Sequence, residues 1–159
     1  MSEWTPTERR IKTAYGPIYY GGPCKDDYRN MVTYDAEPKG SGLVLTLQRP
    51  AMKALKAAQV RYAKRKGWTA ARLKANPDGR PILMTAGTNR SCDTQKRLYA
   101  EDSSRYARPE ITGHTRGLAL DVSTAQSNQE IIKACLRAEG WTQTRPDDEP
   151  WHWSYGVTI

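Results

Sequence analysis

At 159 residues the chain is one domain's worth, and 38% hydrophobic residues with a mean hydropathy of −0.79 describe a water-soluble protein with a modest core. No window approaches about eighteen consecutive apolar residues, and the amino terminus carries neither the basic nor the apolar region of a secretory signal, so membrane insertion is excluded and synthesis in the cytoplasm is expected. The net charge of +8 sits in one place: from Arg49 to Lys74 there are nine Lys or Arg and no acid, which suits a solvated helix face or a polyanionic partner such as an anionic wall polymer or nucleic acid.

Residues 1–42 are rich in Gly, Pro, Tyr and Asp, with breakers at Gly16-Pro17, Gly21-Gly22-Pro23 and Gly40-Ser41-Gly42. This arm is expected to be irregular or to hold at most short strands, with the main domain running over 43–159. After the short apolar run Leu43–Leu47, Pro50 suits a first helical turn. Met52, Leu55, Ala58, Gln59, Tyr62 and Ala63 then recur at helical spacing, with Lys53, Lys56, Arg61 and Lys64 on the other face and a stop near Gly67.

Beyond the turn signal Asn76-Pro77-Asp78-Gly79, the run from Pro81 to Gly87 has the length and flanks of a buried strand. Ser91 or Asp93 is placed to cap a helix whose apolar side comes from Leu98 and Tyr99. Leu118, Leu120 and Val122 alternate with Ala119, Asp121 and Ser123 as a strand does. A last helix is expected to start at the capping box Ser127-x-x-Glu130, to pack through Ile131, Ile132, Cys135 and Leu136, and to stop at Gly140. The alternating segment Trp151-His152-Trp153-Ser154-Tyr155 closes the chain. These elements sum to an α+β domain with a small, mostly antiparallel sheet flanked by helices.

The cysteines Cys24, Cys92 and Cys135 are odd in number and form no CxxC pair, which predicts reduced thiols rather than a disulfide framework. Only two histidines exist, His114 and His152. Alternation sends His152 and Ser154 to one face of the last strand, and Asp121 shares the non-core face of the earlier strand with Ala119. If the two strands pair with these faces aligned, Asp121 meets His152 and a turn at Gly117 delivers His114. Two imidazoles and one carboxylate make a catalytic type of zinc site, with a fourth position open to water. Glu149, three residues before His152, is the natural general base, although Asp147 and Asp148 are adjacent. An HExxH helix, a GxSxG elbow, a P-loop and a GxGxxG turn are all absent from the sequence.

From Gly87 to Ile159 the chain resembles the D-alanyl-D-alanine metallopeptidases, the LAS group of carboxypeptidases, dipeptidases and phage endolysins. The pattern S-x-H-x-x-G-x-A-x-D is met at His114, Gly117, Ala119 and Asp121, with Thr112 in place of the serine. The pattern E-x-x-H-aromatic is met at Glu149, His152 and Trp153, and an upstream element by Gly87-Thr88-Asn89-Arg90-Ser91 with Gln95. The resemblance implies one zinc ion held by His114, Asp121 and His152, Glu149 as base, and Arg90 steadying the substrate carbonyl as it becomes an oxyanion, with Gln95 and Thr112 at the substrate. It implies a peptidase of peptidoglycan stem peptides, removing terminal D-Ala or cutting L-Ala-D-Glu, in the manner of a phage lysin released to or carried to the bacterial wall. The alternative is a zinc-bearing binding module without catalysis. The basic segment 49–74 then serves anionic wall polymers better than nucleic acid, since Tyr62 and Trp68 are its only aromatics.

Overall fold

Helix α1, Arg49–Arg65, is the hub of the core. Its apolar spacing buries Met52, Leu55, Ala58 and Tyr62, together with Ala51 and Ala54, while Lys53, Lys56, Arg61 and Lys64 stay in solvent as the periodicity requires. Pro50 occupies the first turn, where its missing N–H is not needed, and Lys64 and Arg65 in the last turn complement the helix dipole. Lys66 closes the helix and Gly67 leaves it at φ 78°. The computed structural model describes residues 7–26, 30–35, 44–75, 81–85, 90–109 and 112–157. The expected turn at Asn76–Gly79, the Gly40–Gly42 breaker and Gly87-Thr88-Asn89 lie outside them.

The described residues form three small antiparallel sheets, two of which contact α1. In the amino-terminal arm, β1 (Glu8–Thr13) and β2 (Gly16–Gly21) form a hairpin, and β3 (Met31–Asp35) pairs with β4 (Val44–Gln48). Ile18 and Tyr20 of β2 are fully buried, so the arm contributes to the core. Gln48, also fully buried, ties these pieces together. Its Nε2 donates to Tyr19 O (2.7 Å) and Arg116 O (2.8 Å), and its Oε1 accepts from Tyr19 N (2.8 Å). A buried amide satisfied on both ends locks the hairpin, β4 and the segment after His114 in one arrangement.

The third sheet has the order β5-β7-β6, from β5 (Ala119–Asp121), β6 (Trp141–Thr142) and β7 (His152–Tyr155). Helix α4 (Gln129–Ala138) packs on α1 through Ile132, Cys135 and Leu136, and Gly140 ends its turn at φ 94°. Among the described residues, helices α2 (Ala70–Ala75) and α3 (Cys92–Glu101) complete the set.

Local expectations fail where tertiary partners intervene. Of the strand expected over 81–87, the described part, 81–85, holds one bridge, Met84 to Val122, and 86–87 lie outside the described residues. Glutamine side chains take the hydrogen bonds a neighbouring strand would make: Gln59 exchanges two with Ile82 (2.7 and 3.0 Å), and Gln126 exchanges two with Leu83 (3.0 and 2.8 Å). The capping box at Ser127 does not form either. Asn128, in the left-handed region at φ 63°, precedes α4 and makes no side-chain cap, its Nδ2 donating instead to the Tyr62 hydroxyl (3.2 Å). Ser91 does cap α3, accepting from Thr94 N (3.0 Å). The buried residue of α3 is polar Gln95, with Leu98 and Tyr99 only half-buried. β6 and α2 carry too few residues for a periodic signal.

The expectation of reduced thiols is overturned. Cys24 and Cys92 form a disulfide, with Cα atoms 5.9 Å apart, and the free cysteine is the buried Cys135. The pairing joins residues 68 apart in sequence, and parity with motif spacing carries no information about such a contact.

Candidate active site

The loop bearing His114 is fixed from several sides. Thr112 Oγ1 accepts from His114 N (3.2 Å), Thr115 Oγ1 donates to Pro109 O (2.6 Å), and Leu118 N donates to Gly113 O (2.9 Å). The loop leaves through Gly117 at φ 68°, where a Cβ would lie 2.8 Å from Met31 Sδ and 3.0 Å from Gln48 N, so only glycine fits both the dihedral and the space. Arg116, fully buried, extends to the arm and donates to Gly22 O (2.6 Å) and Pro23 O (3.1 Å).

β5 and β7 pair with Ala119 opposite Ser154, Leu120 opposite Trp153 and Asp121 opposite His152. This is the alignment of polar faces that alternation called for. Asp121 Oδ1 lies 3.5 Å from His114 Nε2 and 3.8 Å from His152 Nδ1, and one donor atom from each residue falls within 4.8 Å of the others. The two imidazole rings are 5.1 Å apart and tilted by 59°. All three residues are buried.

Oδ1 of Asp121 is buried yet accepts no hydrogen bond. Leaving such an atom unsatisfied is costly, and a cation removes the cost. Ligand atoms about 2.0–2.2 Å from a tetrahedral zinc are roughly 3.3 Å from each other, close to the 3.5 Å and 3.8 Å that separate Asp121 Oδ1 from the two imidazole nitrogens. Two nitrogen donors and one carboxylate oxygen are also a zinc-type donor set, so the residues fit the ion the sequence called for. Burial pushes the Asp121 carboxyl up, but His152, His114 and Arg90 outweigh it and hold the group below the usual carboxylate range. On the far side of His152, Nε2 sits 3.2 Å from Ser154 Oγ, a contact that orients the ring.

Arg90 reaches the same centre. Its Nη2 is 4.0 Å from Asp121 Oδ2, its backbone N donates to His114 O (3.2 Å), and its Nη1 donates to Gln95 Oε1 (3.0 Å). Gln95, 1% exposed, donates through Nε2 to Ala107 O (2.7 Å). Arg90 is thereby held by a residue that is itself held.

A pocket of ≈ 60 Å³ opens over the cluster, enough for a few water-sized groups. Arg90, Gln95, Thr112, His114, Glu149 and His152 all line it, so these sequence-derived residues converge there, while Asp121 does not line it and lies against both imidazoles. Of the three consecutive acids only Glu149 lines it; Asp147 and Asp148 are exposed to solvent. Arg105, Tyr106 and Arg145 also line the pocket and were not found from sequence. For Arg145 a signal existed, since it stands four residues before Glu149 and pairs with it at 3.0 Å (Nη1 to Oε2).

No protein-family model matches the chain, and no curated protein matches it. Solved structures do. The LD-carboxypeptidase LdcB, described in terms of peptidoglycan recognition, superposes with a TM-score of 0.59 at 20% identity over 86% of this chain and 72% of its own. VanY, a vancomycin-resistance D,D-pentapeptidase in complex with Zn(II), superposes at 0.52 with 16% identity, over 93% of this chain and 87% of its own. The chain thus shares its fold with an LD-carboxypeptidase described for peptidoglycan recognition and with a D,D-pentapeptidase that is in complex with Zn(II).

Proposed function

We propose that this chain is a zinc-dependent peptidase that hydrolyses peptidoglycan stem peptides, as a D-Ala-D-Ala carboxypeptidase or an L-Ala-D-Glu endopeptidase. One observation carries the reading: Asp121 Oδ1 is buried without a hydrogen bond between two imidazole nitrogens, beside a pocket that Glu149 enters. His114 Nε2, Asp121 Oδ1 and His152 Nδ1 are the atoms placed to hold the ion. Zinc bound there supplies Lewis acidity, which acidifies water and polarises a carbonyl.

The remaining chemistry belongs to the protein. Glu149 accepts a proton from the attacking water as its oxygen bonds to the scissile carbonyl carbon, and passes that proton to the amine as the C–N bond breaks. Arg90, steadied by Gln95, donates to the carbonyl oxygen while it carries negative charge. Thr112 lines the pocket beside His114 and is placed to contact the substrate.

The test is mass spectrometry of purified peptidoglycan digested by the wild-type protein and by Glu149→Ala. Loss of terminal alanine or scission within the stem, abolished by the substitution, is the expected result, and the fragment masses name the bond. Zinc-loaded protein that releases no Glu149-dependent product defeats the reading and leaves the zinc-bearing binding module.

Its biological role, we propose, is that of a phage lysin acting at the bacterial wall. The basic charge and the wall-directed chemistry support this, and the Cys24–Cys92 disulfide supports action outside the reducing cytoplasm. The solvent face of α1, with Lys53, Lys56 and Lys64, is the surface proposed for anionic wall polymers. No helix among the described residues is long and apolar enough to cross a membrane.

A further inference from the structure

We infer that Arg145 is a positioning residue for the base: its guanidinium selects Glu149 from the run Asp147-Asp148-Glu149 and aims it into the pocket. The inference rests on the reading of Glu149 as base and adds what holds it. Glu149 N donates to Arg145 O (2.8 Å), closing one helical turn that stacks the two side chains on one side. Nη1 of Arg145 then meets Glu149 Oε2 at 3.0 Å, while Nη2 meets Asp148 Oδ2 at 3.3 Å. One planar fork holds two neighbouring carboxylates apart.

The outcome is unequal. Asp148 is left 73% exposed in solvent, whereas Glu149 is 27% exposed and lines the pocket. The ion pair engages Glu149 Oε2 and leaves Oε1 as the oxygen to meet a proton. The same turn continues into the metal-ligand strand, since His152 N donates to Glu149 O (2.9 Å). Arg145 is itself 42% exposed, and ion pairs so accessible to water add little to stability. Orientation of a flexible carboxylate, which catalysis requires and folding does not, is the role left for it.

The experiment measures kcat and KM on a synthetic stem pentapeptide or its cleavage-competent fragment for Arg145→Met, Arg145→Lys, Asp148→Asn and Glu149→Ala. Arg145→Met is expected to lower kcat about tenfold with KM within about twofold, a fraction of the roughly 10²–10⁴ a general base contributes. Arg145→Lys regains most of the loss, and Asp148→Asn leaves kcat unchanged. In crystals of metal-free Arg145→Met, Glu149 loses its single side-chain position. Unchanged kcat in Arg145→Met, or a rise in KM alone, overturns the inference while the base assignment stands. Full turnover by Glu149→Ala overturns both. Should Arg145→Met fail to fold, loss of kcat in Asp148→Asn comparable to that in Glu149→Ala overturns the selection.

Discussion

Asp121 of β5 and His152 of β7 stand directly opposite each other in an antiparallel pair, with Oδ1 3.8 Å from Nδ1. Directly paired residues have their Cβ atoms about 4.5–5.5 Å apart, so the sheet itself sets the spacing between these two candidate ligand atoms. Ser154, two residues along the same face, supports the far nitrogen of His152.

Removal of a ligand should therefore cost more than removal of its support. His152→Ala and Asp121→Ala are expected to lose stoichiometric zinc by elemental analysis. Ser154→Ala should keep the ion but bind it about 10–100-fold more weakly in competition with a chromogenic chelator. Full occupancy in His152→Ala refutes the ligand assignment.

Gln95 anchors Arg90, and the two should fail in the same direction. Arg90→Met is expected to lower kcat about 10²–10³-fold, as for loss of an oxyanion donor. Gln95→Leu should lower kcat less and leave KM near wild type, and it should also destabilise the fold by about 1–3 kcal/mol because Ala107 O loses its donor. Thermal melts beside steady-state kinetics separate the two effects, and an unchanged kcat in Gln95→Leu removes it from the positioning of Arg90.

Thiol counting tests the disulfide. Denatured but unreduced protein should titrate one thiol, Cys135, and reduction should raise the count to three. Cross-linking across 68 residues constrains the unfolded chain by about 4 kcal/mol in the loop-entropy treatment. Reduced protein should accordingly unfold at lower denaturant; coincident curves show that the bond adds nothing.

Away from the pocket, Glu139 accepts from the Tyr15 hydroxyl and pairs with Arg61 at 2.7 Å. The bond to Glu139 pushes Tyr15 up to about 12, helped by burial. Burial alone pushes Glu139 up, but the Tyr15 and Arg61 bonds prevail and hold it below the ordinary 4.5. A raised tyrosine stabilises the fold fully below its unfolded value of 10.0 and loses that contribution as pH climbs to about 12. A lowered carboxyl acts in reverse, present above 4.5 and lost as pH falls through its folded value. Tyr15→Phe should flatten both limbs of a stability profile followed by urea unfolding. Identical limbs in the variant exclude this pair as their source.

Much of the candidate site is readable from local pattern. Strand alternation assigns Asp121 and His152 to corresponding faces, and Gly117 marks the turn that returns His114. The 3.6-residue period of 50–63 separates the buried face of α1 from its lysines. The stretch 81–85 shows the limit, because a buried apolar run looks the same whether its backbone pairs with a strand or with the side chains of Gln59 and Gln126.

Residue type and short-range periodicity were enough to name three candidate ligand residues and the acid nearest them in sequence, because a strand or helix repeats its geometry over a few residues whatever surrounds it. The partner of Cys24, the clamp of Gln95 on Arg90 and the approach of Arg105 and Tyr106 to the pocket waited for the folded chain. They depend on loop closures and side-chain directions set by packing between distant segments, and no local repeat encodes those.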